Sequence, residues 1–477
     1  MDSSSENKPF VLRLHERIAA SRFLTFSLFL HLIIVVLAGG VVLIQRNSQP
    51  PDFAPEARIL IPKTDEGSVQ SSTTTSIQQD PIVPPPATTN PLPSTVITTT
   101  ALGTPSVVFS AMGSSRAARI LDRASQSPKT LPGAALTPSP FSSRLGAKER
   151  LKRAMQTGGT KQSEDAVLSG LRWLKKKQNP DGSWSDEYKP AMTGLALLAF
   201  LGHGELPESP EFGPTVKKAL DWTLERGSEF DGRMSLTKDS WGGNAGVYEH
   251  GILTYAIAEY FALTKDDRFE PLLRQAVGYI VKGQNPKGGW DYGYHTGPRQ
   301  DLSVSGWQIQ ALKAAHLTGL GIPGVDDALD KSMGFIKSFQ GNEGGFGYTG
   351  PENRVSLTGV GVLCTYFWKP KIQDKVVSEG IDYLLGKSEV KYKSEKCDLY
   401  AWYYSTQACQ MFGGSAWMKW NRMFQNEIAR NQSPDGSWPT TPGPHLQSKP
   451  DGAGPIYRTT LCVLMLEVFY RYVPINM

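Results

Sequence analysis

Two hydrophobic patterns alternate along residues 161–477. Segments such as 165–177 and 271–282 place their apolar residues on one face, and this spacing predicts amphipathic helices. Each is followed by a segment that is apolar most of the way round, and a helix of that kind is buried. The segments of the second kind are 191–200, 248–263, 302–316, 355–368, 399–412 and 456–470.

A short motif closes four of the amphipathic segments. It reads Gln-x-x-x-Gly-x-Trp from Gln178, Gln284 and Gln432, and the copy from Gln340 ends in Phe346. The glycine stops the helix, a proline in three copies prevents continuation, and the final aromatic residue buries a large apolar face. The glutamine can bond a backbone group at the helix end. We interpret this motif, the clamp, as structural.

The spacing of the clamps predicts six helical pairs. Two gaps between clamp glutamines are near-doubles of a period of about fifty residues, a length typical of stacked helical hairpins. Degenerate copies lie around Trp222 and Tyr383, which occupy the aromatic position five residues before the clamp glutamine, whereas Glu427 occupies it in the last copy. Six pairs closing on themselves form an all-α, α/α toroid, with apolar helices inside and amphipathic helices outside.

The clamp and this arrangement in two rings resemble the repeats of squalene cyclases and protein prenyltransferase β-subunits, over about residues 161–477. The resemblance implies a terpenoid cyclase-like toroid. Class II terpene cyclases carry Asp-x-Asp-Asp-Thr-Ala at the start of an inner helix, and the equivalent string here begins at Asp301. Ser303 and Val304 then stand where the proton donor and its neighbour would be, and neither is a strong acid.

The metal ligands of prenyltransferases are also replaced. By the same resemblance, Leu399 stands for the zinc-binding cysteine and Arg458 for the histidine, and neither side chain can bind zinc. The thioester domain of α-macroglobulins has a similar toroid, but the chain contains no Cys-Gly-Glu-Gln string. We therefore predict no metal and no cofactor.

Polar residues gather before the third inner helix, in segment 290–301, and they make the best site candidate. Asp301, His295 and, before the fifth inner helix, Asp398 are the candidate catalytic acids or bases. Helix capping also explains an aspartate such as Asp301, and a loop histidine beside aromatic residues often has no chemical role. The candidate ligand-binding residues are Tyr294, Arg299, Trp307, Glu249, His250, Trp402, Tyr457 and Arg458. Their aromatic members could line a cavity or fill it.

The N-terminal region has a different composition. Residues 23–45 are almost wholly apolar and long enough to cross a bilayer, which predicts a membrane anchor. Four basic residues precede this span and only Arg46 follows closely, so the tail 1–22 is expected in the cytoplasm and the rest outside it. A signal peptide cleaved near Ala38 is the alternative. Residues 46–160 are rich in Pro, Ser and Thr and predict a disordered tether with brief helices, one of them at 147–155.

Charge and cysteine content change this picture little. The 50 basic and 45 acidic residues give a net charge of +5 without a basic block, so we expect no nucleic-acid partner. The four cysteines have no C-x-x-C spacing, and we expect buried free thiols.

Three functional hypotheses remain. The first is a membrane-anchored, extracytoplasmic toroid that binds a hydrophobic small molecule, a peptide or a protein without the family's reaction. The second is an isoprenoid cyclase or transferase that uses a non-standard acid, and the third, weaker one is a polysaccharide lyase. An open apolar cavity with a buried carboxylic acid favours cyclisation, a filled cavity favours a scaffold, and a shallow charged groove favours a peptide or glycan.

Overall fold

The computed structural model describes residue 144 and residues 146–471, except 236–240, 242–243 and 369–373. These residues form α-helices, short 3₁₀ turns and isolated β-bridges. The helices are α1 (Ala147–Gln156), α2 (Lys161–Lys177), α3 (Lys189–Gly202), α4 (Gly213–Glu229), α5 (Ala245–Thr264), α6 (Glu270–Lys282), α7 (Leu302–Leu317), α8 (Val325–Lys337), α9 (Val355–Phe367), α10 (Lys375–Lys387), α11 (Leu399–Phe412), α12 (Gly414–Arg430), α13 (Gly454–Leu466) and α14 (Val468–Arg471).

The twelve helices from α2 to α13 form two concentric rings. Inner helices are the odd-numbered members, and each contacts the inner helix of the next pair, with α13 returning to contact α3. On the outside, α12 contacts α2, so both rings close. The predicted toroid of six helical pairs is therefore confirmed. The last inner segment differs slightly from its prediction, because it is divided into α13 and α14.

Each clamp fastens its own turn to the next outer helix. The Nε2 atom of Gln178 donates to the carbonyl of the clamp glycine (2.9 Å) and to the carbonyl of Thr215 in α4 (2.9 Å). Gln432 repeats this across the closing seam, where its second acceptor is the carbonyl of Ala166 in α2 (2.8 Å). The other two clamps bond the carbonyls of Ala328 in α8 and Val376 in α10. These hydrogen bonds thus connect each clamp to the outer helix of the next pair.

The clamp aromatic residues are buried, as predicted. The indole Nε1 of Trp184 donates to the carbonyl of Leu174 (2.8 Å), so the side chain folds back under the outer helix that it follows. Trp290 and Trp438 make the same bond to the carbonyl ten residues before them, also at 2.8 Å. The three tryptophan clamps therefore satisfy a carbonyl at the end of their outer helix while burying an aromatic ring, and Phe346 buries its ring only.

Packing against the ring begins earlier than the predicted boundary at residue 161. Helix α1 packs against α14, and the hydroxyl of Thr157 donates to the carbonyl of Phe469 (2.7 Å). The indole of Trp417 donates to the carbonyl of Thr157 (2.7 Å). The last part of the predicted tether, from Arg144, thus belongs to the toroid. Within the described part of the chain, no helix combines the length and hydropathy that a bilayer crossing requires, and the anchor predicted at 23–45 lies outside it.

All four cysteines lie within the described residues, and each is buried and free. The prediction of buried thiols is confirmed. Burial raises the pKa of Cys397 to about 12, which keeps that thiol protonated and unreactive at neutral pH.

Candidate functional site

Asp301 is the N-cap of α7. Its Oδ1 atom accepts hydrogen bonds from the backbone N–H of Ser303 (2.9 Å) and Val304 (3.0 Å) and from the Ser303 hydroxyl (2.6 Å). Its Oδ2 atom accepts from Nη2 of Arg299 (3.1 Å), and the side chain is fully buried. Both carboxylate oxygens therefore act as acceptors, which is the arrangement of a helix cap and not of a proton donor.

Arg299 lies in a cluster of tyrosines and carboxylates beside this cap. Its guanidinium pairs with Asp291 and Asp301 and lies 4.7 Å from the ring centre of Tyr292 and 5.7 Å from that of Tyr348. Burial and the neighbouring Asp301 raise the pKa of Asp291, although Arg299 opposes the shift. Burial also raises the pKa of Tyr292 to about 12. One guanidinium is thus shared between two carboxylates inside the cluster.

The other two candidate catalytic residues, Asp398 and His295, lie in different elements of the toroid. Asp398 caps α11, where its Oδ1 atom accepts from the backbone N–H of Ala401 (2.9 Å). His295 lies exposed in the loop before α7. The contacts of Asp301, Asp398 and His295 thus belong to two different helix caps and a surface loop.

Glu249 and His250 lie in the second turn of α5 and are buried. The Nδ1 atom of His250 accepts from the backbone N–H of Met234 (3.0 Å), and its Nε2 atom donates to the carbonyl of Ala276 (2.9 Å). Burial lowers the pKa of His250 to about 4, and the Arg233 charge acts in the same direction. The imidazole is therefore neutral at physiological pH, and both of its nitrogens serve the fold.

Aromatic side chains fill the interior of the ring. Trp307, Trp402 and Tyr457 are each at most 2% exposed. The Trp307 ring stacks on Tyr403 at a centroid distance of 5.6 Å and meets Tyr404 edge-on at 5.5 Å. Of the alternatives left open by the sequence, the structure supports a core role for these residues. Tyr294 is partly exposed, and its hydroxyl donates to Oε1 of Gln308 (2.8 Å).

Arg458 supports a loop and also lines the groove described below. Its Nε atom donates to the carbonyl of Trp438 (3.0 Å), and its Nη1 atom donates to the carbonyls of Gln447 (3.1 Å) and Lys449. Burial lowers the pKa of this guanidinium, but four backbone acceptors, including the Leu446 carbonyl, satisfy its donors. The position that resembles the prenyltransferase zinc histidine therefore has a structural role.

A groove of about 600 Å³ lies where the sixth helical pair meets the first. It opens at the N-terminal ends of α3 and α13, between the first and last clamps. We name it the seam groove and define it by Trp173, Asn179, Asp435, Ser437, Trp438 and Asp451. Of its lining residues, only Arg458 was among the candidates from the sequence, because the groove joins opposite ends of the toroid that only ring closure brings together.

The seam groove has aromatic and proline residues in its lining and carries both signs of charge. The Oδ2 atom of Asp435 accepts from Nε1 of Trp173 (3.1 Å), and its Oδ1 atom accepts from the Ser437 N–H (3.0 Å) and hydroxyl (2.7 Å). Burial opposes the shift, but the Ser437 bonds lower the pKa of Asp435. Lys177 lies 5.6 Å from the Trp173 ring, and Asp451 is exposed at the rim. The groove suits a ligand with charged and hydrogen-bonding groups.

Comparison with known proteins finds distant relatives. No protein-family model matches the chain. Over 232 residues, 44% of this chain, it is 26% identical to a probable squalene–hopene cyclase of Sinorhizobium fredii, of which it covers 34%. Over 143 residues, 28% of this chain, it is 27% identical to a squalene–hopene cyclase of Bradyrhizobium diazoefficiens, of which it covers 21%. The chain thus spans about a third or less of these relatives.

Solved structures with similarity to the chain include a glycoside hydrolase and a cyclase. The GH76A α-1,6-mannanase of Salegentibacter sp. HEL1_6 has a TM-score of 0.49 and 10% identity, and the match covers 64% of this chain and 98% of the mannanase. The type II terpene cyclase MstE of Scytonema has a TM-score of 0.45 and 13% identity, with coverage of 65% and 98%.

Proposed function

We propose that this chain, a divergent member of the squalene cyclase-like superfamily of α/α toroids, is a membrane-anchored binding protein that takes a peptide in its seam groove and does not cyclise isoprenoids. The superfamily membership is supported by the clamp repeats, the closed double ring and the matches to squalene–hopene cyclases. The activity of those relatives belongs to much longer chains.

The filled interior of the ring is the observation that carries the proposal. Cyclisation requires an apolar cavity that holds the whole isoprenoid chain and an acid that protonates it. Here Trp307 and its stacked neighbour Tyr403 occupy the ring interior, and Ser303 and Val304 stand at the family's acid position. Asp301, the nearest substitute, is committed to capping α7 and to Arg299. These observations support a toroid that does not cyclise isoprenoids.

The charges that line the seam groove support the proposal that it binds a peptide. The ammonium of Lys177 and the carboxylates of Asp435 and Asp451 match the mixed charges and amide groups of a peptide, whereas a neutral glycan would leave charges unpaired. Asn179 adds an amide oxygen as an acceptor, while its Nδ2 atom donates to the Ser183 hydroxyl and the Ser185 carbonyl. The ligand class therefore follows from charges of both signs along one groove.

The anchor belongs to the same proposal. The apolar span at 23–45 and the basic residues before it support a single-pass protein with its toroid outside the cytoplasm. Arg144 enters the toroid at the C-terminal end of the inner helices, whereas the seam groove opens at the N-terminal end. Arg144 and the seam groove thus lie at opposite ends of the ring.

Peptide binding to the full-length protein tests this function. Short peptides selected on it are expected to bind with an affinity that falls about tenfold in Asp451→Asn, because that carboxylate lies exposed in the groove. Asp165→Asn is the matched control, since Asp165 is also exposed but lies on α2 outside the groove. Calorimetry measures the peptide affinity of both variants. In a separate test of the anchor, the full-length protein should stay in the membrane fraction after alkaline extraction.

Three outcomes would contradict the proposal. Selected peptides that bind Asp451→Asn and Asp165→Asn equally would place the site elsewhere. Binding of neutral oligosaccharides, with no peptide bound, would assign the groove to glycans. Release of the protein by alkaline extraction would count against the anchor.

A further inference from the structure

A buried cluster of charges lies at the C-terminal end of the inner ring, away from the seam groove. Arg144 is 2% exposed although it precedes the first helix of the toroid. Its Nη1 atom donates to Oε2 of Glu259 in α5 (3.1 Å), and its Nε and Nη2 atoms donate to the carbonyl of Arg471 (3.2 and 2.8 Å). One guanidinium thus uses three of its nitrogens on acceptors that are more than a hundred residues away in sequence.

The acceptors of Arg144 lie in a buried cluster that contains two glutamates. The Oε1 atom of Glu259 accepts from Nη2 of Arg471 (3.1 Å), so this carboxylate joins two buried guanidinium groups. Glu467 is fully buried beside them, and neither of its carboxylate oxygens has a hydrogen-bond partner among the described residues. Two carboxyl groups therefore accompany two arginines in a site from which water is excluded.

The backbone also provides space for Arg144. Gly204, at the end of α3, has φ +85°, and a Cβ at this position would lie 2.0 Å from the carbonyl oxygen of Arg144. That same carbonyl accepts from Nη1 of Arg150 (2.9 Å). Gly202 is close to Glu467 in a similar way, because a Cβ there would lie 2.1 Å from Oε2. Both main chain and side chain of residue 144 are thus accommodated by the ring.

We propose that Glu259, Glu467 and the Arg471 carbonyl form a guanidinium-binding socket, and that Arg144 is its resident ligand. The socket fastens the part of the chain that follows the tether to one end of the ring. This inference is independent of the peptide groove, because no residue is shared between the two sites.

The pKa values of the Glu259 and Glu467 carboxyl groups are shifted in opposite directions. Burial opposes the shift, but Arg471 and Arg144 hold the pKa of Glu259 below its usual value. Burial raises the pKa of Glu467 well above its usual value, against the attraction of the same two arginines. The other titratable groups facing this cluster are Glu164 from α2, Arg150 from α1, Tyr470 from α14, Tyr255 from α5, and His203 and Glu205 after α3.

The raised pKa of Glu467 determines how this residue changes the stability of the fold with pH. Because its folded pKa is raised, Glu467 favours the folded state most below its ordinary pKa, and this advantage is lost as pH rises through the raised value. Loss of Arg144 removes one attractive charge and raises the cost of ionising Glu467 further. Arg144→Ala should therefore become less stable relative to wild type as pH rises.

Chemical rescue tests the socket directly. In the full-length protein, Arg144→Ala should lower Tm by about 5 to 10 °C, because it leaves Oε2 of Glu259 and the Arg471 carbonyl buried without the donor they have in the wild type. Guanidinium ion at about 20 mM should restore part of this loss by occupying the empty socket, whereas sodium at the same concentration should not. Wild-type protein should show no such gain. Trypsin should also cut α1 faster in the variant, and guanidinium should slow that cleavage.

Arg172→Ala is the matched control, because Arg172 also pairs with a carboxylate through its guanidinium but is exposed. Its Tm should change by about 1 °C or less and should not respond to guanidinium. Equal responses of the two variants to guanidinium, or an unchanged Tm in Arg144→Ala, would overturn the socket.

A double variant keeps the test decisive if Arg144→Ala does not fold. Adding Glu467→Gln removes the second carboxyl group and leaves Glu259 paired with Arg471, so the double variant should be more stable than Arg144→Ala alone. A double variant that is equally or less stable would show that the cluster does not balance these charges, and would overturn the proposal.

Discussion

Trp290→Ala should lower the free energy of unfolding by about 4 kcal/mol. Trp290 is fully buried, and its indole Nε1 donates to the carbonyl of Ile280 at the end of α6 (2.8 Å). Its backbone N–H donates to the hydroxyl of Ser305 in α7 (2.9 Å). Truncation therefore leaves a large cavity and an unpaired carbonyl at the joint between an outer and an inner helix. Urea unfolding, followed by circular dichroism, measures the loss.

Trp222→Ala is the matched control for this prediction. Trp222 lies on α4 in a degenerate repeat and is partly exposed, with Arg226 5.9 Å from its ring. Its truncation should cost about 1 kcal/mol, since less apolar area leaves the core. Equal losses of unfolding free energy in the two variants would contradict the structural role assigned to the clamp tryptophan.

Gly436→Ala should cost about 3 kcal/mol. Gly436 has φ +94°, and a Cβ on it would lie 2.3 Å from the carbonyl oxygen of Ser169 in α2. This is the turn that closes the ring, so relief of the clash would separate the last clamp from the first outer helix. The change thus combines backbone strain with disruption of the seam.

The control for Gly436 is Gly334→Ala in the last turn of α8. No atom lies within 4 Å of a Cβ at this position, and the residue is helical. Alanine there should stabilise the protein by about 0.5 to 1 kcal/mol, because it restricts the unfolded chain and favours the helix. A destabilisation of similar size in both variants would contradict the role assigned to the clamp glycine.

The fold could be predicted because its signals are local. Apolar periodicity identified the inner helices within a few residues, and the recurring clamp gave the number of pairs although two copies lack it. The closed ring could be inferred only by analogy with other repeat proteins, since the bond from Gln432 to Ala166 joins opposite ends of the toroid. Capping, the alternative explanation for Asp301, is what the structure shows, and it could be foreseen because a cap depends only on residues 301–304.

The candidate sites were harder to predict, because they depend on distant parts of the chain. The seam groove joins residues near Trp173 with residues near Asp435, and no pattern in the sequence relates them. Arg144 is a single arginine at the end of a Pro- and Ser-rich segment, where it carries no signal of its own. A usable signal existed in Glu259 and Glu467, charged residues within otherwise apolar helical segments, because a buried charge requires a partner.

Incubation of the full-length protein with squalene tests the central claim, that this toroid binds without cyclising, most directly. A squalene–hopene cyclase assayed in parallel shows that cyclised product can be detected. Because aromatic side chains fill the ring and Asp301 caps a helix, we expect no cyclised product from this protein. Cyclised product that disappears in Asp301→Asn would contradict the account.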